Sequence, residues 1–410
     1  MQARTISSAY IRMMLLAAPA TSFLVFPAIQ GTTPAYILCF SSMLMVPVLM
    51  ESEKFVLWLR LLLVSLFVWC IFFVFSQLGN LVEHESNLLS ADIILVDPLD
   101  TRVVLRGSLF TQSLYLFAVV LFALLIYITE WKSQEKTLRW ASLLMAGYGL
   151  YEFIYFFLFH ESGDFISNRM FGSDLDASGS MTQSMVVGSL WIMRVKSLTG
   201  EPSMYALMMM PVWFYAKAAK WPLTERLVLG VSLLLTFSTT ALLSYMVGSC
   251  VAIWRKGVPW RKIIVGLMVT GFIFLMNVEF FLDLIDQVVL AKALGENLSG
   301  AERSGTMLGT FQYWLDLNWI SQLFGVGFGY VRSTDFISTL IVNCGLVGLF
   351  GFMWIFLKPF SMLSDEDIDI GLKQCLLSTM LAMLIAVSEF SYLIPWLFLV
   401  LSIKRIKGEF

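Results

Sequence analysis

The sequence predicts an all-α polytopic membrane protein of about 12 transmembrane helices, and three observations carry that prediction. The 410 residues are 58% hydrophobic and 15% aromatic but only 14% charged, too little charge for a soluble domain of this size. Mean hydropathy is +0.80, and apolar runs near the ~20 residues needed to cross a bilayer recur along the chain. Backbone groups in lipid must bond internally, so these runs read as helices rather than open strands. Finally, nineteen of the 27 Lys and Arg residues fall in one alternate set of connecting segments. The positive-inside rule then places both termini in the cytoplasm.

The expected spans, in order, are 11–29, 34–50, 55–77, 109–129, 140–159, 203–216, 227–237, 239–254, 263–282, 336–357, 374–388 and 391–403. Arg4 and Arg12 precede the first, and no small-residue cleavage site follows it, so it reads as a retained helix. Residues 227–254 divide at Ser238-Thr239-Thr240, because a single pass would leave Arg255, Lys256, Arg261 and Lys262 outside. The same reasoning divides 374–403 near Glu389-Phe390-Ser391 and returns Lys404, Arg405 and Lys407 to the cytoplasm. Residues 1–410 are expected to form one integral membrane domain.

Three segments on the outer side are long. Residues 78–108 carry His84, Arg102 and Arg106. The loop 162–202 is rich in Gly and Ser, holds Arg169, Arg194 and Lys196, and reads as mobile over 172–180. In the loop 283–334, apolar residues over 284–294 recur at helical spacing, the pattern of an amphipathic surface helix. Another helix is expected after Glu302-Arg303-Ser304, and a turn containing Gly325, Gly327 and Gly329 leads into the next span. That turn does not follow a strand, which excludes a dinucleotide fingerprint. The five cysteines all lie in apolar runs, so no disulfide framework is indicated. His84 and His160 are isolated, which argues against a zinc site. No nucleic-acid motif is present.

Basic residues on the outer face are disfavoured by topology, so Arg194, Lys196, Arg303 and Arg332 are the candidate anion binders. The planar fork of arginine suits phosphate. The bland alternative is solvated charges paired with Asp164, Asp174 or Glu302. Glu201 and Asp335 are the candidate catalytic carboxylates, each able to serve as a general base. Each equally suits a helix start: Pro202 fits the first turn after Glu201, and Asp335 opens the span at 336 as a cap. Glu152 lies mid-span, where a charge is costly and faces protein or water. Gly345, Gly348 and Gly351 read as close-packing positions.

The segment from Arg194 through Gly200-Glu201-Pro202-Ser203 resembles the end of the large outer loop in bacterial polysaccharide polymerases. Arg303-Ser304, the glycines at 325–329, and Asn343-Cys344-Gly345 with Gly348 follow in the same order. The chain thus resembles the Wzy-type O-antigen polymerase and O-antigen ligase superfamily over most of residues 140–360. That resemblance implies a GT-C-like glycosyltransferase of the bacterial inner membrane with its active site facing the periplasm. The implied reaction polymerises lipid-linked oligosaccharide repeat units. The growing glycan passes from undecaprenyl pyrophosphate to an incoming lipid-linked unit, without metal or cofactor. Arg194, Lys196, Arg303 and Arg332 would hold the diphosphate, and Glu201 or Asp335 would take the proton. Membrane lipid, a chain-length regulator and a flippase are the implied partners. The absence of His from 283–335 favours the polymerase branch. The rival readings are ligation of finished polymer to a lipid core, and a lipid-glycan flippase or transporter.

Overall fold

The structure, a computed structural model, describes residues 2–83, 88–90, 93–169, 183–187, 190–257, 264, 298–385 and 387–410. Their helices are α1 (Gln2–Ala17), α2 (Pro34–Leu49), α3 (Ser52–Val82), α4 (Gly107–Ile128), α5 (Glu135–Phe159), α6 (Pro202–Ala218), α7 (Leu223–Leu234), α8 (Thr239–Lys256), α9 (Leu298–Asp316), α10 (Trp319–Phe324), α11 (Phe336–Met362), α12 (Asp367–Ile385) and α13 (Leu393–Ile406). A short 3-10 turn, Trp131–Ser133, precedes α5. The helices α3, α4, α5, α11 and α12 are each long and apolar enough to cross a membrane. The protein is therefore mostly helical and membrane-embedded in character.

Two expectations change. The first helix stops at Ala17 instead of running to 29, because Pro19 lacks an N–H and disfavours helical backbone in the residue before it. The loop 162–202 is also not free of strands. β1 (Ser184–Val187) pairs antiparallel with β2 (Leu190–Met193), Ser184 opposite Met193. The apolar, partly β-branched runs on either side of Gly188-Ser189 carry a hairpin signal that the helical reading passed over. The expected mobile run 172–180, the surface helix 284–294 and, apart from residue 264, the span 263–282 lie outside the described residues.

α12 is central and packs against α6, α8, α11 and α13. A Cβ at Gly371 would come within 2.2 Å of Ala218 Cβ, so the missing side chain allows α12 to approach α6 closely. Gln374 Nε2 donates to Gly248 O (2.8 Å), and Cys375 Sγ donates to Pro211 O (3.1 Å).

The two ends of the bundle differ. At one, Arg139 pairs with Glu225, Lys220 with Asp367 (3.7 Å), Arg255 with Asp365 (3.4 Å) and Arg405 with Asp369 (2.6 Å). These pairs join the start of α5, the α6–α7 turn, the end of α8, the α11–α12 turn and the end of α13. Arg255 reaches this end because the chain reverses between α7 and α8, where Ser238 Oγ accepts from Thr240 N–H (3.2 Å). The connecting segments around 18–33, 93–106, 160–169, 194–201, 325–335 and 387–391 gather at the opposite end.

Candidate functional site

The opposite end is organised by a break in α11. Gly345 sits at φ 66°, ψ −169°, so nearby carbonyls lose their helical donors. The turn at 325–329 supplies replacements: Val326 N–H donates to Val342 O (2.9 Å) and Gly327 N–H to Asn343 O (3.1 Å). A Cβ at Gly345 would fall 2.2 Å from the Leu323 carbonyl, and one at Gly325 2.2 Å from the Asn343 carbonyl carbon. Positive φ and backbone contact together demand glycine at both positions. Gly351, read from the sequence as a packing position, has no neighbour within 4 Å of its Cβ site.

This turn mounts Arg332. Asn343 Oδ1 accepts from Val331 N–H (2.9 Å), and its Nδ2 donates to Val331 O (2.7 Å). Arg332 N–H donates to Ile94 O (2.8 Å), beside a single β-bridge between Leu95 and Val331. A second asparagine mounts Arg169 in the same way. Asn168 Oδ1 accepts from Leu24 N–H (2.6 Å) and its Nδ2 donates to Leu24 O (2.9 Å). The Arg169 guanidinium donates to Thr21 O (3.1 Å).

Both arginines line a cavity of about 470 Å³, together with Glu201, Glu389, Gln112, Tyr115 and Asn343. Met204, Phe328, Phe336, Leu340 and Phe390 form its apolar wall. Glu201 occupies the cap position of α6 without capping it; its Oε2 accepts instead from Ser203 Oγ (3.1 Å). Glu389 Oε1 accepts from Ser391 Oγ (2.6 Å). Its segment is held by Tyr36 Oη donating to Ser391 O (2.6 Å) and Trp396 Nε1 donating to Phe390 O (2.7 Å). Two guanidinium forks and two carboxylates thus share one polar chamber with an apolar side. Such a chamber can bind an anion and accept a proton from a hydroxyl.

Of the candidate anion binders and catalytic carboxylates named from sequence, Glu201 and Arg332 line this cavity and the other described ones do not. Arg194 Nε donates to Thr236 O (3.0 Å) and its Nη1 to Gln183 Oε1 (2.6 Å). Lys196 is fully buried between Glu152 (3.2 Å) and Asp164 (2.5 Å). Glu152, also fully buried, is thereby matched to a cation, and Tyr148 Oη donates to Asp164 Oδ1 (3.2 Å). Asp335 caps α11: its Oδ1 accepts from Ser338 N–H (2.8 Å), and Oδ2 accepts from the Ser338 and Ser333 hydroxyls. The backbone of Arg303 lies in α9, and its side chain lies outside the described residues.

Among the described residues, the remaining outer cations are engaged. Arg102 donates two bonds to Asp100 (2.8 Å each). That pairing, with the Gly107 amide, holds the Asp100 carboxyl below the usual range. Arg106 is buried over the Tyr330 ring (4.7 Å) and donates to the Asp97 and Arg102 carbonyls. His160 stacks on Trp191, and His84 lies outside the described residues. Among the described residues, no three His, Cys, Asp or Glu side chains gather to hold a metal ion.

Sequence reasoning passed over two charged lining residues. Arg169 was visible as an outer cation, yet no local motif marks it. In the sequence Glu389 marks only the division between two spans. A carboxylate in a short break between apolar runs is itself a signal, because its depth makes it costly unless it faces water or a partner.

Comparison of the chain with protein-family models, with curated proteins and with solved structures returns no match.

Proposed function

We propose that the protein is a GT-C-like glycosyltransferase of the bacterial inner membrane that polymerises lipid-linked oligosaccharide repeat units at the periplasmic face. In this reading α1–α8, a pass over 263–282, and α11–α13 make twelve passes, and the paired basic end is cytoplasmic. The observation that carries it is the cavity where Arg169, Arg332, Glu201 and Glu389 meet an apolar wall. The motif order from Arg194 to Gly348, which resembles that of the polymerases, supports it.

The donor is the growing glycan on undecaprenyl pyrophosphate; the acceptor is a hydroxyl on a lipid-linked repeat unit. The acceptor oxygen attacks the anomeric carbon, and the bond from that carbon to the pyrophosphate oxygen breaks. The hydroxyl proton passes to Glu201 or Glu389. Arg169 and Arg332 receive the leaving diphosphate, whose negative charge grows as the bond breaks. Pyrophosphate is already a good leaving group, so positioned charge and proximity supply the catalysis. Met204, Phe336 and Leu340 offer the first isoprene units an apolar wall.

The test uses the full chain, reconstituted in liposomes with lipid-linked repeat units and an excess of chelator. A ladder of products carrying several repeats is expected. Products that stay single, or turnover that only an added divalent ion restores, would overturn the reading. Transfer of preformed polymer to a lipid core, without chain growth, would identify a ligase instead.

A further inference from the structure

We propose that the basic end of the bundle carries a headgroup site for an anionic phospholipid, between the start of α5 and the α6–α7 turn. It lies at the end opposite to the cavity above and does not rest on the glycosyl-transfer reading.

A cavity of about 440 Å³ opens there, with Lys132, Lys136, Arg139 and Lys220 in its wall. Its two carboxylates are already engaged. Glu135 Oε1 accepts from Trp221 Nε1 (3.0 Å), and Glu225 pairs with Arg139. Lys220 reaches Asp367 only at 3.7 Å with its side chain 80% exposed, a pair that water largely screens. Lys132 and Lys136 are exposed and belong to no ion pair among the described residues. The wall therefore carries a surplus of two positive charges, held by a frame that Trp221–Glu135 and Arg139–Glu225 fix in place.

The neighbouring surface identifies what supplies the anion. Trp140 and Leu144 stand one turn apart on α5, and Leu223 and Leu227 one turn apart on α7, all largely exposed. α5 is long and apolar enough to cross a membrane, so this stripe continues from the cavity into the hydrocarbon. Trp140, at the start of that stripe, has the interfacial position tryptophan prefers. Lysines clustered at a helix end beside acyl-chain surface suit a phosphate-bearing lipid headgroup. A soluble phosphate would meet the lysines but leave the apolar stripe unused.

Native mass spectrometry of the full chain in detergent tests this, with titration of cardiolipin, phosphatidylglycerol or phosphatidylcholine. The wild type should retain cardiolipin and phosphatidylglycerol in preference to phosphatidylcholine. K132Q/K136Q should bind the anionic lipids about 30-fold more weakly, with phosphatidylcholine unchanged. K132R/K136R should restore binding, and K358Q, at the end of α11, should leave it intact. Equal retention of charged and zwitterionic lipid, or unchanged retention by K132Q/K136Q, would overturn the site. Thermal stabilisation by inorganic phosphate equal to that by phosphatidylglycerol would show that the anion alone is recognised, and the lipid assignment would fall.

Discussion

Two groups of charges stand at the same end of this bundle and do opposite things. In one, Lys196 is buried and bonded to the buried carboxylates of Glu152 and Asp164. In the other, Arg169, Arg332, Glu201 and Glu389 face a shared cavity. Lys196 and Arg169 both come from the loop after α5, and composition cannot tell them apart. What separates them is where the chain is pinned. Asn168 ties its segment to Leu24 and holds Arg169 at the cavity wall. Val195 and Ser197, flanking Lys196, bond Leu235 at the end of α7 and Met145 of α5. An outer cation is thus available to a ligand only if the backbone on either side keeps it out of the core.

The sharpest way to break this contrast is at Lys196. Lys196→Met leaves two carboxylates buried without their cation, and removal of one member of such a group costs roughly 3–5 kcal/mol. The expected result is a large fall in thermal stability and in recovered protein. Adding Glu152→Gln and Asp164→Asn should recover much of it. If Lys196→Met folds normally and only activity falls, the lysine belongs with the cavity after all.

The cavity arginines should respond in reverse. Arg169→Ala and Arg332→Ala should each lower chain growth by about 10²-fold at normal expression and stability, as for loss of one preorganised charge-stabilising donor. Arg332→Lys should also be impaired, because the ammonium lacks the planar fork. Arg194→Ala should matter far less, because this guanidinium donates to Thr236 O and Gln183 away from the cavity. Equal activity losses at Arg194 and Arg332, measured per folded protein, would erase the distinction.

A smaller effect is expected one step away. Asn343→Ala removes the two bonds that hold Val331, each worth about 1 kcal/mol, and should lower activity on the order of tenfold by loosening Arg332. Combined with Arg332→Ala it should add little, since both act through one guanidinium. Full additivity in chain-growth rates would mean Asn343 works independently of Arg332. Smallest is Asp335→Ala. Loss of this cap should cost about 1 kcal/mol in thermal unfolding and leave activity per folded molecule unchanged. A collapse of activity with stability intact would return Asp335 to the role of base.

Much of the fold was legible because its causes are local. Pro202 after Glu201 marks the start of α6, Ser238 the start of α8, and the break at 387–391 falls where the charge count requires it. The first helix was misjudged for an equally local reason, Pro19. The hairpin at 184–193 was missed because its apolar runs sit inside a loop otherwise rich in Gly and Ser. Half of the cavity's charged residues were legible too: Glu201 and Arg332 stand out in the sequence, while Arg169 and Glu389 do not.

By itself, the sequence determined that this chain is a mostly helical membrane protein with its cations crowded toward one set of connections. Hydropathy, proline and the balance of Lys and Arg act through solvent and backbone within a few residues of each position, so they can be read along the chain. Only the tertiary structure decided which charged groups are available. Arg169 meets Thr21, Asn343 holds Val331 across the turn, Glu389 joins Glu201 in one cavity, and Lys196 disappears between Glu152 and Asp164. Desolvation and pairing depend on distance in space, and spacing along the chain does not encode the distance in space between residues on different segments.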